Sequence, residues 1–169
     1  MDLEGNYKLA CLVLVFAAAT TGCSTVVLDA DAPDGFDLGG MWVLDPIASE
    51  ATPESRRLRQ RGMTIAMIAQ DFPVLRVRRM EIEQNVDSMG ISYDGKDYRD
   101  VSWGLRERGL WEVNAGWDAG TLRILSKARD AKAEESMVLA GGGDRLSVSI
   151  SIEADGDELI VTRVFDRER

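Results

Sequence analysis

The chain contains no histidine, and its cysteines, Cys11 and Cys23, both lie near the start. Without histidine, neither a Ser-His-Asp nor a Cys-His nucleophile can be assembled, and the usual general base and zinc ligand are missing. Carboxylates are the remaining acid–base candidates. Glu81 with Glu83 and Glu134 with Glu135 are paired acids of the kind glycosidases use, but Glu81 and Glu83 share one strand face and read equally as a charged outer surface. Asp155, Asp157 and Glu158 could face calcium, yet their spacing is not that of an EF-hand loop. Gly141-Gly142-Gly143 separates two strands and reads as a turn rather than a phosphate loop. These residues specify no reaction, cofactor or metal site, and the reading is of a protein that is not an enzyme.

Two groups of side chains could still bind something. Trp103, Trp111 and Trp117 fall in the middle of a strand-rich stretch, where aromatics either line the mouth of a ligand site or fill a core. Arg56, Arg57, Arg59 and Arg61 lead a run of seven arginines in residues 53–79, against Glu54 and Asp71. Such a patch meets anionic lipid headgroups or an acidic partner, or it is a solvated face paired with the domain's own carboxylates. A net charge of −9 argues against nucleic acid as a partner.

The elements that must position these groups are mostly strands. Leu146, Val148, Ile150 and Ile152 alternate with polar residues, Asp155-Gly156 suits a two-residue type I′ turn, and Leu159, Val161, Arg163 and Phe165 return. That register pairs Ile152 with Leu159, Ile150 with Val161, Val148 with Arg163 and Leu146 with Phe165. Further strands are expected at 40–44, 80–85, 89–93, 97–103, 110–115, 121–127 and 133–140, with Gly104–Gly109 as a turn. The class is mostly β: an antiparallel meander of eight to nine strands, closed into a barrel or left as a curved sheet. Thr52-Pro53-Glu54 starts one helix over 53–72, after the first strand, with a capping hydroxyl and proline at the first position. Gly62 is its weak point.

The apolar run Leu9–Ala19, preceded by Lys8, is too short to span a bilayer and has the layout of an export signal. Ala19-Thr20-Thr21-Gly22-Cys23-Ser24 resembles the lipobox of bacterial lipoproteins, and that resemblance implies that Cys23 is lipidated. The alternative is ordinary signal cleavage after Ala17-Ala18-Ala19. The expected organisation is a signal peptide over 1–22, a lipidated tether over 23–38 and a barrel-like domain over 39–169. Ser24 after the cysteine resembles the residue that permits transfer to the periplasmic face of an outer membrane.

Gly40-x-Trp42 at the opening of a β-domain resembles the first-strand signature of lipocalin and calycin barrels. The resemblance implies a small apolar ligand and a closure in which a late-strand basic residue, Arg163, covers Trp42. Two functions follow as expectations: a binding module for a small apolar molecule, or a solid barrel whose surface meets an envelope protein or the membrane. The volume inside the barrel separates them.

Overall fold

Asp155 and Gly156 take φ of 55° and 83°, the paired positive values of a type I′ turn, and the hairpin folds in the expected register. The same alternation of buried and exposed residues builds the rest of the sheet. The computed structural model describes residues 26–168. Ten antiparallel strands form one sheet: β1 (Gly40–Leu44), β2 (Arg79–Gln84), β3 (Ser88–Tyr93), β4 (Asp97–Ser102), β5 (Gly104–Arg108), β6 (Trp111–Asp118), β7 (Thr121–Ala128), β8 (Ala131–Ala140), β9 (Arg145–Ala154) and β10 (Asp157–Arg167). Strands adjacent in sequence are hydrogen-bonded neighbours, with one exception, β4 and β5. β1 is separated in sequence from β2 by helices, and β1 also pairs with β10, which joins the two ends of the meander. β4 and β5 are consecutive but unpaired, so the barrel is closed except for a seam between them.

The sequence reading missed β5. Gly104–Arg108 is a strand rather than part of a turn, but all of Leu105, Arg106, Glu107 and Arg108 is exposed, so no alternation reveals it. The expected single helix is two, α1 (Ser55–Arg61) and α2 (Met63–Ile68), separated at Gly62, whose φ of 168° is extended backbone. Short 3-10 turns at Ala69–Asp71 and Pro73–Leu75 complete this cap. Thr52 is not the N-cap. Glu54 takes that place without a side-chain bond, and the Thr52 hydroxyl accepts from Arg163 instead.

The cap and the β9–β10 turn lie at one end of the barrel. Thr64 donates to Asp155 there, and α2 buries Ile65, Ala66 and Ile68 toward β9 and β10. The opposite end is shut by the segment before β1. Asp29 exchanges two backbone hydrogen bonds with Trp117, of 2.9 and 2.8 Å, and Leu38 is fully buried. A Cβ on Gly116 would strike the Asp29 backbone, so this close approach requires glycine. From Asp29 on, the stretch expected to be a tether is therefore part of the domain. The signal-like run, Cys11 and Cys23 fall outside the described residues.

The barrel interior is filled. Met80, Met89, Ile91, Leu122, Ile124, Met137, Val148 and Ile150 all have 0% exposure, so no space large enough for a water touches them.

Candidate functional site

Arg163 sits on the inward face of β10 and is 2% exposed. Its surroundings follow from the shortness of β1. The last β1 residue, Leu44, lies opposite Phe165, so β1 ends before it reaches Arg163. The loop that follows runs on beside β10 in place of a strand. Asp45 and Glu50 donate their backbone N–H groups to the Val164 and Thr162 carbonyls at 2.8 and 3.0 Å. The Glu50 carboxylate accepts the Thr162 N–H at 2.6 Å.

Arg163 donates to the Glu50 carbonyl at 2.8 Å and to the Thr52 hydroxyl at 3.3 Å. Its Nε has no partner, and among the described residues no carboxylate forms an ion pair with it. Burial holds its pKa below the ordinary arginine value. Beside it opens a groove of about 470 Å³ with Val43, Leu44, Pro46 and Ala51 in its wall and Arg76 and Arg78 at its rim. Arg76 is held by the Ala69 and Gln70 carbonyls, both at 3.1 Å, whereas the Arg78 side chain has no hydrogen-bond or ion-pair partner among the described residues. Three arginines thus line one groove with this apolar wall and with Ser49, Glu50 and Thr52. That arrangement suits an amphipathic anion.

Arg163 does not cover Trp42. In the observed pairing Trp42 faces Arg167, and it is the Arg167 guanidinium that stacks on the indole, 4.3 Å from the ring centroid. Arg167 also donates to the carbonyls of Asp37 at 2.7 Å, Gly143 at 2.8 Å and Gly39, and Trp42 Nε1 donates to the Leu38 carbonyl at 2.8 Å. This stack fastens the end opposite the cap. The expected partner was off by two inward positions because the offset between β1 and β10 is set by barrel closure, not by either strand's own pattern.

A second buried cluster was not foreseen. Arg99 on β4 reaches across the barrel to Glu135 on β8, with the two side chains 8% and 0% exposed. Burial opposes the charge on Arg99, but the Glu135 carboxylate and Tyr93 outweigh it and raise its pKa. Burial, reinforced by Glu135, pushes the Tyr93 hydroxyl up. Glu135 Oε2 and the Tyr93 hydroxyl complete no hydrogen bond. The alternation Ala133, Glu135, Met137 was the available signal that Glu135 faces inward.

The tryptophans do not converge on one mouth. Trp103 and Trp117 are buried in edge-to-face contact, centroids 4.6 Å apart, at the end away from the cap. Trp111 alone borders a seam-side groove of about 330 Å³, together with Phe72, Arg99 and Ser126. Arg56, Arg57, Arg59 and Arg61 are all exposed on α1. Arg57 approaches Glu54 at 3.7 Å and Arg61 donates to the Glu158 carbonyl at 2.8 Å; Arg56 and Arg59 have no partner among the described residues.

No protein family matches the chain, and no curated protein matches it in sequence. Solved structures do match its fold. Human cRBP IV superposes with a TM-score of 0.52 at 18% identity, over 79% of this chain and 99% of that one. A fatty acid transporter, REP1-NXSQ, gives 0.53 at 16% over 79% and 97%. A secretory abundant heat soluble protein from Ramazzottius varieornatus gives 0.52 at 14% over 83% and 100%. The fold is therefore that of the fatty-acid-binding-protein-like barrels: mostly β, ten antiparallel strands nearly closed, with a helix-turn after the first strand.

Proposed function

We propose that the chain is a lipid-anchored, non-catalytic binding protein of the cell envelope, held by Cys23 at the periplasmic face of an outer membrane. It takes a small apolar molecule that ends in an anion. The observation that carries this reading is Arg163, buried without a carboxylate and bordering a groove of about 470 Å³ that Arg76 and Arg78 also line. A buried cation is costly unless paired. An incoming carboxylate or phosphate would supply the missing charge, while Val43, Leu44, Pro46 and Ala51 would cover the apolar part. The ligand then lies under the rim of the cap, not in the packed centre. That the likewise similar REP1-NXSQ protein is a fatty acid transporter agrees with this reading.

Calorimetric titration with laurate and with lauryl alcohol tests it. Laurate is expected to bind at least about tenfold more tightly, the scale of one charge-assisted hydrogen bond, and Arg163→Gln should cut that difference sharply. Equal affinities in the wild type, or an Arg163→Gln protein that prefers laurate as strongly as the wild type, would remove the site. Cys23→Ser should release the protein from the membrane fraction; a variant that stays as membrane-bound as the wild type would remove the anchor.

A second reading has its own support. The unexposed interior favours a solid barrel that acts through its surface, with an envelope protein or membrane as partner.

A further inference from the structure

The outer face of the cap combines three observations. Arg56 and Arg59 on α1 and Arg78 beyond the 3-10 turns are exposed cations without partners among the described residues. Met63 and Met67 of α2 are each 62% exposed, turned away from the face that packs on β9 and β10. Between them lies a groove of about 540 Å³ that includes Leu58, Arg59, Met63, Met67 and Arg76. Apolar side chains with unpaired cations around them match the surface of an anionic bilayer, with methionines entering the acyl boundary and arginines meeting phosphates. An acidic protein would be satisfied by the charges alone.

The opposite end has the reverse character. Residues 26–38 contain Asp29, Asp31, Asp34 and Asp37 and no cation, and Asp87 is exposed at the same end, where Asp118 is paired with Arg123. This is also where the chain leaves for Cys23. Asp29 is fixed to Trp117, and the six residues back to Cys23 reach at most about 21 Å. The eleven residues of β10 span roughly 36 Å along the strand, or about 28 Å along a barrel axis at ordinary tilt. One helix diameter of about 10 Å lies beyond that.

We infer that the cap docks on an anionic lipid surface other than the membrane that holds Cys23, so that the anchored protein bridges two surfaces. The inference rests on the lipid-anchor reading above. The link to the anchor is too short for the barrel to invert and set the end that carries the cap on the anchoring membrane. The acidic end also repels anionic headgroups near the anchor, while the basic cap faces outward.

The test uses the full lipoprotein in phosphatidylglycerol-containing vesicles, mixed with a second, protein-free population of the same composition. Clustering by light scattering is expected at low salt and should reverse with salt. Arg56→Glu with Arg59→Glu should weaken binding of the cap about fivefold for each cation lost, and Met67→Glu should weaken it further. The Cys23→Ser protein measured on phosphatidylglycerol vesicles separates the two readings. If it binds but the lipoprotein does not cluster vesicles, and mass measurement shows the acyl chains present, the cap reaches its own membrane and bridging is wrong. If it does not bind at low salt, the cap is not a lipid-docking face. If the mass shows no acyl chains, the anchor reading falls, and bridging with it.

Discussion

Arg99 and Arg163 both point into the barrel, and their surroundings differ in one respect. Arg99 meets the Glu135 carboxylate across the interior, beside Tyr93 and 5.9 Å from the centre of the Phe72 ring. Arg163 meets only a carbonyl and a hydroxyl, and one of its N–H groups is idle. The first charge has its counterion within the fold, although Glu135 Oε2 and the Tyr93 hydroxyl lack partners, and the pair ties β4 to β8. The second charge is incomplete, and it lies where β1 stops and a groove begins. A buried charge with its counterion beside it is compensated within the fold, whereas Arg163 is not.

Removing the counterion from the Arg99–Glu135 pair should have the largest effect. Glu135→Gln leaves Arg99 buried and unmatched, and urea denaturation should show a loss of about 3–5 kcal/mol. Replacing both, Arg99→Leu with Glu135→Leu, should recover most of it. Arg163→Met removes a charge that has no counterion to orphan and frees only the Glu50 carbonyl and the Thr52 hydroxyl, so its effect on stability should stay within about 1.5 kcal/mol. If Arg163→Met proves as costly as Glu135→Gln, the contrast between the two arginines is wrong and Arg163 is a second structural tie.

A smaller effect concerns the tether end. Trp42→Ala and Arg167→Ala should each destabilise, and a double-mutant cycle should give a coupling of about 0.5–2 kcal/mol for the cation–π stack. Strictly additive losses would reduce Arg167 to a donor for carbonyls. The same cycle with Arg163 in place of Arg167 should show no coupling to Trp42.

The smallest effect is acid sensitivity of two half-buried carboxylates, Glu134 and Asp45. Hydrogen bonds from Arg123 hold Glu134 below its ordinary 4.5, and the N–H groups of Ala48 and Ile47, with Arg145, hold Asp45 below 3.8. Both folded-state values are lowered, so the stabilisation is complete above the ordinary values and is lost as pH falls through the folded ones. Unfolding midpoints should therefore decline below about pH 4.5, and Glu134→Gln with Asp45→Asn should flatten that decline. An unchanged slope would mean that other carboxylates govern it.

What the sequence revealed was local. The β9–β10 hairpin could be placed residue by residue because alternation and Asp155-Gly156 act on the same short stretch. β5 was invisible because an edge strand at a seam buries nothing and so carries no period. Trp42 is buried, and the partner that stacks on it, Arg167, depended on the stagger between β1 and β10, which only the completed barrel fixes. The groove at Arg163 was hidden for the same reason, since it exists only because β1 ends early. Arg99 and Glu135, in strands far apart in sequence, offered no sign that they would meet.

The seam between β4 and β5 also has a kinetic meaning. It falls in the middle of the chain, while the pairing that joins β1 to β10 falls at its extremes. The slow step of folding should then be the meeting of the two ends, the contact with the greatest loop-closure cost. A circular permutant cut between Trp103 and Gly104, with Arg169 linked to the segment before Gly40, would turn that distant contact into a nearby one. Its strands would run from β5 through β10 and then β1 to β4 in one unbroken sequence of hydrogen-bonded neighbours, and it should reach the same barrel faster.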